Sequence, residues 1–381
     1  MPDLALVVVL DEGDEALEDE RAPTWNARDV ALERAARTGA AVRVLTPAPT
    51  VDAVVALGAP VATPARASRQ WPRVEVVDQR DEEPGHGLLS SALADALRHT
   101  VGRGARGVCV LNRRGRARLL ACRTCTELAR CEACGATVEQ VNAGFHCTRC
   151  ETTRPQVCLH CHGGTFRAVR PGITRVRDDL AALLPRTEVA SVDTATDAVP
   201  DAPVLIGTEA VLHRIPSGRP VGLVAYLELD QELLAPRARA AEQALWLVVR
   251  GARLLTAPPE GGPGYLLLQT RLPDHEVVQA LRRGDPMAVV AAEIPRRQAL
   301  GFPPFGGLVE VRGAIEAVAA VCTAVADIGP GVTVLGPDAA GTSALLRAPS
   351  VDLLCDALAT PAVDAARTRG RLRIDVDPRR V

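Results

Sequence analysis

Lysine is missing altogether, and all 44 basic residues are arginine. A phosphate-binding loop of the G-x-x-x-x-G-K-[ST] type needs its Lys to reach the β- and γ-phosphates, so these residues cannot build one. Schiff-base chemistry on a lysine amine is excluded as well. Aromatic residues are almost as scarce, with three Trp, two Tyr and four Phe, which argues against a long platform for stacking bases. No apolar run approaches the roughly 20 residues that span a bilayer; the stretch Leu4 to Leu10 is far shorter. The start Met-Pro-Asp lacks the basic residues of a secretory signal. The expected compartment is the cytoplasm, with no membrane partner.

What is present describes a globular chain of several domains: 381 residues, 47% apolar and 24% charged. The net charge of −2 conceals asymmetry. The first twenty residues carry eight acids and no base, whereas 101–177 carries fourteen Arg against four acids. Leu4–Leu10 reads as a buried parallel strand, 27–38 as a helix, and Ala41–Leu45, Val54–Ala56 and Val74–Val77 as further β-like runs. Leu88–His99 reads as a helix and Gly107–Leu111 as a strand. After residue 171 the pattern returns, with strands at Thr187–Val192, Pro203–Ile206, Val221–Leu227 and Tyr265–Gln269 and a helix at Ala238–Arg250. Alternating strands and helices imply an α/β layer with a parallel sheet. A last unit, from about 300 to Leu372–Val376, reads as a small α+β domain.

Between these halves lie four C-x-x-C pairs: Cys122/Cys125, Cys131/Cys134, Cys147/Cys150 and Cys158/Cys161. Each pair puts two thiolates on one side of a tight turn, and two turns make the tetrahedral sulfur cage that Zn²⁺ prefers. Two Zn²⁺ per chain are expected, in closed structural sites. Free thiols or a redox dithiol would account for one pair, not for four in so short a span. The inner pairs, Cys131/Cys134 and Cys147/Cys150, are spaced for a β-hairpin through Thr137–Val141 and Phe145. The outer pairs, Cys122/Cys125 and Cys158/Cys161, would meet across its base. This nested arrangement is favoured over a cross-brace. His146, His160 and His162 are alternative donors that eight cysteines make unnecessary.

The run Asn112-Arg113-Arg114-Gly115-Arg116-Ala117-Arg118 leads into the first Cys pair. Two tetrathiolate zinc sites subtract about four charges, which leaves the segment cationic. A cationic, zinc-braced module in a nearly neutral protein points to nucleic-acid phosphate as partner, with a solvated charged face as the plain alternative. Arg113, Arg114, Arg116 and Arg118 are the candidate DNA contacts, and arginine favours bidentate phosphate binding.

These motifs, in this order, resemble the family of primosomal protein N′, the PriA replication-restart helicases. Asn112-Arg113-Arg114-Gly115 and the eight Cys carry the resemblance. Asp11-Glu12-Gly13-Asp14 resembles the family's D-E-E-H Walker B motif, and Trp25-Asn26-Ala27-Arg28-Asp29 its aromatic-rich loop. Leu205-Ile206-Gly207-Thr208-Glu209 resembles its I-G-T-Q motif, and Leu300-Gly301-Phe302-Pro303-Pro304-Phe305 the entry to its C-terminal domain. Val334-Leu335-Gly336-Pro337 and Ile374-Asp375-Val376-Asp377-Pro378 resemble its closing strands. The resemblance spans nearly the whole chain and corresponds to the later half of a full family member. The half that carries the family's 3′-end DNA-binding domain and Walker A loop has no counterpart in these residues. Internal motifs also depart. His213-Arg214-Ile215 stands where the family has K-G-x-x-F, and Arg250-Gly251-Ala252-Arg253-Leu254-Leu255 where it has Q-x-x-G-R-x-G-R. Its arginine fingers fall near Leu254 and Ala257. Asp11 and Glu12 are expected to cap a strand end, and Gly341-Thr342-Ser343-Ala344-Leu345 is a reduced form of the family's basic aromatic loop.

The resemblance implies remnants of two RecA-like helicase lobes, an inserted double zinc module and a small C-terminal α+β domain. The expected limits are 1–112 for the first lobe, 113–170 for the zinc module, 171–295 for the second lobe and 296–381 for the last domain. It further implies binding to branched or single-stranded DNA and contact with primosome proteins, the replicative helicase loader and single-stranded-DNA-binding protein. The expected role is in restarting stalled forks without ATP hydrolysis. The alternative is an active ATP-dependent 3′–5′ helicase whose Walker A half lies elsewhere, with the family's ATP binding.

Overall fold

The computed structural model describes residues 4–19, 24–58, 71–80, 88–111, 120–141, 144–147, 150–168, 173–193, 196–256, 263–326 and 331–379. The Pro- and Ala-rich stretch 59–70 and the basic run 112–119 lie outside the described residues, as does Ala257. The chain forms two compact units, Met1–Ala62 with Met287–Val381, and Thr63–Pro286. Both are mixed α/β, and no helix among the described residues is long and apolar enough to cross a membrane.

The unit Thr63–Pro286 is built on a six-stranded parallel sheet. Its order is Val189–Val192, Val204–Gly207, Arg106–Val110, Val221–Tyr226, Tyr265–Thr270, Arg73–Asp78. The central strands are apolar along their whole length because both faces are covered. On one face Leu93 and Leu97 of helix Ser91–Gly102, with Val176 and Leu180 of helix Ile173–Leu183, pack on Cys109, Ile206, Leu223 and Ala225. On the other, Tyr226 donates its hydroxyl to the Leu247 carbonyl of helix Ala240–Ala252, 2.6 Å away. Strands on both sides of residue 112 share this sheet, so residues 73–111 pack with 189–270 rather than with the amino-terminal strands. The Cys-rich segment enters after Arg106–Val110 and returns before helix Ile173–Leu183. It is an insertion at the carboxyl ends of the strands, where open α/β sheets place their ligands.

The other unit holds a two-stranded parallel sheet, Leu6–Leu10 with Ala41–Leu45, and a four-stranded antiparallel sheet. The antiparallel order is Thr333–Leu335, Ser343–Ala348, Gly307–Gly313, Leu372–Val376. Helices Ile315–Ala326, Val351–Leu358 and Pro361–Arg367 cover it through Val318, Val321, Leu354 and Val363.

Two readings of the sequence change here. Leu4–Leu10 was expected to be buried on both faces, but Leu6, Val8 and Leu10 are 48–61% exposed. Helix Ala27–Thr38 packs on one face of a sheet only two strands wide. Val54–Ala56, expected as β-like, lies in helix Val51–Leu57. Thr50 caps that helix by accepting from the Ala53 amide at 3.2 Å, and Gly58 ends it in the left-handed region. Strong caps at both ends outweigh the β-preference of three Val.

Candidate metal centre

All four C-x-x-C pairs fold into the same turn. The amide of each first Cys donates to the carbonyl five residues on: Cys122 to Glu127, Cys131 to Ala136, Cys147 to Thr152 and Cys158 to Gly163, at 2.8–2.9 Å. Its own carbonyl accepts from the amide four residues on, that of Thr126, Gly135, Glu151 or His162, at 2.9–3.1 Å. Those four residues have φ of 63°, 73°, 58° and 60°. The left-handed region costs an L-residue about 1 kcal/mol, yet three of the four are not glycine. The turn turns backbone N–H groups toward sulfur, and the amides of Thr124 and Cys125 donate to Cys122.

The turns meet two by two. Cys122, Cys125, Cys158 and Cys161 form one quartet and Cys131, Cys134, Cys147 and Cys150 the other, with every pair of sulfurs in a quartet within 4.8 Å. Cys122 and Cys161 lie 3.5 Å apart, Cys125 and Cys158 3.5 Å, Cys131 and Cys150 3.4 Å, and Cys134 and Cys147 3.6 Å. A disulfide would bring sulfurs to about 2.05 Å, while a tetrahedron with metal–sulfur bonds of about 2.3 Å puts its corners about 3.8 Å apart. Both quartets therefore have the size and the soft donor set of a tetrathiolate metal site. Among the described residues no histidine joins either one. His146 instead faces the Glu151 carboxylate at 3.0 Å.

Electrostatics favour a dication. Burial opposes ionisation of Cys122, but the amides of Cys125 and Thr124 outweigh it and bring the thiol down to about 6. The Thr152 hydroxyl and amide bring Cys150 down to about 6. Burial, with the neighbouring sulfurs, pushes Cys125 and Cys134 up to about 12. Each quartet thus holds a readily ionised sulfur beside one that burial and its neighbouring sulfurs keep protonated, and a bound cation would favour the thiolate form of both.

A small apolar core supports the inner quartet. Phe145 is buried and packs edge-on against Phe166, with ring centroids 4.8 Å apart. Arg154 lies over the Phe145 ring at 4.8 Å and donates to the carbonyls of Val157 (2.6 Å) and Arg130 (2.9 Å). One guanidinium therefore ties an aromatic core to two Cys turns. Sequence reasoning missed this role, since nothing in the spacing of Arg154 distinguishes it from the other arginines. The hairpin Glu139–Val141 and Gly144–His146 gains a third strand, Thr153–Pro155. Leu120–Cys122 pairs with Phe166–Ala168 and closes the base. The Thr137 amide donates to the Leu234 carbonyl at 3.2 Å and so fastens the module beside the sheet.

Other sequence-predicted positions fall elsewhere. Arg113, Arg114, Arg116 and Arg118 lie outside the described residues. Asp11 ends strand Leu6–Leu10 with φ 51°, and its amide donates to the Leu45 carbonyl. Glu12 is wholly buried: its carboxylate accepts from the Thr50 amide (2.7 Å) and hydroxyl (2.8 Å) and faces Arg28 at 3.5 Å. Arg250 pairs with Glu209 and contacts His213 at 3.1 Å. Arg214 donates to the Asp193 carbonyl at 2.7 Å.

A parallel α/β sheet interrupted by two paired sulfur quartets defines an α/β protein with two groups of cysteines that could each hold a metal ion. Residues 298–379 match the family model described as primosomal protein N C-terminal domain. The replication restart protein PriA of Treponema pallidum is 30% identical, over 98% of this chain and 62% of that protein. The probable replication restart proteins PriA of Mycobacterium tuberculosis and Deinococcus radiodurans are each 30% identical, over 85% and 100% of this chain and 52% and 44% of theirs. The chain belongs to the PriA family. It spans about half the length of the curated relatives it matches.

Proposed function

We propose that this chain is a DNA-binding component of replication restart, which engages branched or single-stranded DNA through a module braced by two Zn²⁺ and helps bring the replicative helicase to stalled forks. The observation that carries the reading is the pair of sulfur quartets inserted at the carboxyl edge of a parallel sheet, in a chain similar to proteins named for replication restart. The outer zinc sits on Cys122, Cys125, Cys158 and Cys161, the inner on Cys131, Cys134, Cys147 and Cys150. Zinc fits because it accepts four thiolates in a closed tetrahedron and needs no open position. The neighbouring strands are remnants of RecA-like lobes. Arg113, Arg114, Arg116 and Arg118 contact phosphates ahead of the first Cys turn, and primosome proteins, including single-stranded-DNA-binding protein, are the partners.

The same reading has no ATP-driven motor in these residues. An intact motor needs a carboxylate free to position water and arginines free to reach a phosphoryl group. Both Glu12 oxygens are engaged by Thr50, and the family's arginine fingers fall near Leu254 and Ala257, which carry no guanidinium. The test uses one preparation for three measurements: zinc content, binding to a model fork, and DNA-stimulated ATP hydrolysis. Two equivalents of zinc, fork binding that weakens steeply with salt and no ATP turnover are expected. ATP turnover at a rate that follows the protein through purification would favour the helicase alternative. Salt-insensitive binding would overturn the phosphate contacts.

A further inference from the structure

The two quartets differ in one respect. In the outer one, Cys122 and Cys158 are buried and Cys125 and Cys161 half-buried; in the inner one, Cys131 and Cys147 are buried, Cys134 is half-buried and Cys150 is exposed. Backbone closes over the outer quartet. A Cβ placed on Gly163 would meet Cys122 Sγ and Cys161 Sγ at 3.4 Å and Thr124 Oγ1 at 3.1 Å, so the chain lies flat against two of its sulfurs. Around Cys150 the arrangement is open, and a second sulfur waits behind the first: Cys131 Sγ is 3.4 Å away. The Thr152 hydroxyl, 3.1 Å from Cys150 Sγ, adds a proton donor at the same spot.

We infer that the inner quartet is an oxidation site for hydroperoxides, with Cys150 the sulfur oxidised first and Cys131 the resolving one; the inference rests on the metal-binding reading above. The Cys150 thiolate attacks one peroxide oxygen. An S–O bond forms, the O–O bond breaks, and the departing hydroxide takes up a proton to become water. The Cys131 thiolate then attacks the Cys150 sulfenic sulfur. The S–S bond forms, the S–O bond breaks, and a second hydroxide leaves and is protonated. Two thiolates give up two electrons, and hydrogen peroxide is reduced to two waters. The disulfide withdraws two of four donors, which leaves only Cys134 and Cys147 for the cation. Cys131 and Cys147 share an apolar cluster with Phe145, so release loosens the hairpin, while the outer quartet and the base ladder keep their ligands.

The test is to treat the full zinc-loaded chain with hydrogen peroxide beside a zinc-sensitive dye, after metal analysis of the same sample. One equivalent should leave first, on the order of tenfold faster than the second, because the exposed thiolate reacts first. Peptide mass mapping at that point should find a Cys131–Cys150 disulfide, and reductant with added Zn²⁺ should restore two equivalents. Cys150→His keeps a metal donor without an oxidisable sulfur, so its first equivalent should leave at the slow rate. Two equivalents lost at one rate, or a first disulfide within the outer quartet, would overturn the inference and leave the metal-binding reading standing. Fewer than two equivalents before oxidant would overturn both.

Discussion

Single residues carry more of this fold than their type suggests. Thr126, Glu151 and His162 hold the left-handed position that Gly135 fills without strain. Glycine at Thr126 or Glu151 should raise stability of the metal-loaded chain by about 1 kcal/mol, and Gly135→Ala should lower it by a similar amount. Denaturation midpoints measure both, and equal shifts of one sign would show that φ is not the deciding variable. Asp230 behaves differently. It is wholly buried, accepts from Thr270 and the Arg271 amide, and burial raises its pKa above the ordinary 3.8 despite those donors. A carboxyl with a raised folded pKa binds its proton more tightly when folded. Its stabilisation is complete below 3.8 and is lost as pH rises through the folded value. Asp230→Asn should therefore gain on the natural sequence as pH rises from just above 3.8 toward neutrality. Parallel urea-stability profiles for the two proteins would refute this.

Elements are held by a few decisive contacts. The segment 120–168 has short strands and, among its described residues, only small apolar clusters around Phe145 and Leu128, too little apolar surface to fold alone. Structural Zn²⁺ contributes on the order of 10–16 kcal/mol in small zinc domains, against total domain stabilities of roughly 5–15 kcal/mol. Complete metal removal should open 120–168 to protease while the parallel sheet stays protected; uniform resistance after chelation would end the structural role of the metal. In the other unit, Glu12 joins the end of strand Leu6–Leu10 to Thr50 at the start of helix Val51–Leu57 and to Arg28 of helix Ala27–Thr38. Arg28 is buried, and although burial alone would lower its pKa, the carboxylates of Asp29, Asp52 and Glu12 raise it. Glu12→Gln removes one partner of a buried pair and should cost about 3 kcal/mol. A change below 0.5 kcal/mol or so, typical of a surface site, would mean that the link is not structural.

The whole molecule divides into two units with separate cores, one around the parallel sheet and one around the antiparallel sheet. Two cores predict unfolding that departs from a single two-state transition. Calorimetry should resolve two components, of which one shifts on metal removal, because only the unit Thr63–Pro286 contains the quartets. A single transition that moves as a whole would contradict this. The Cys-rich segment is inserted at the carboxyl edge of the larger sheet, and so the proposed function belongs to this unit first.

The sequence by itself determined the eight sulfurs and their spacing, the alternation of strands and helices, and the small α+β C-terminal domain, because these are written in local pattern. A C-x-x-C turn is closed by hydrogen bonds within six residues, and a fully apolar run such as Val204–Gly207 announces a strand. Tertiary structure alone decided that Arg73–Asp78 and Arg106–Val110 share a sheet with strands beyond the insertion, and that Glu12 is bound to Thr50. Those outcomes join residues tens to hundreds of positions apart. Strand order is chosen by the burial of both sheet faces at once, and the burial of a charge by the partners that the finished fold brings to it.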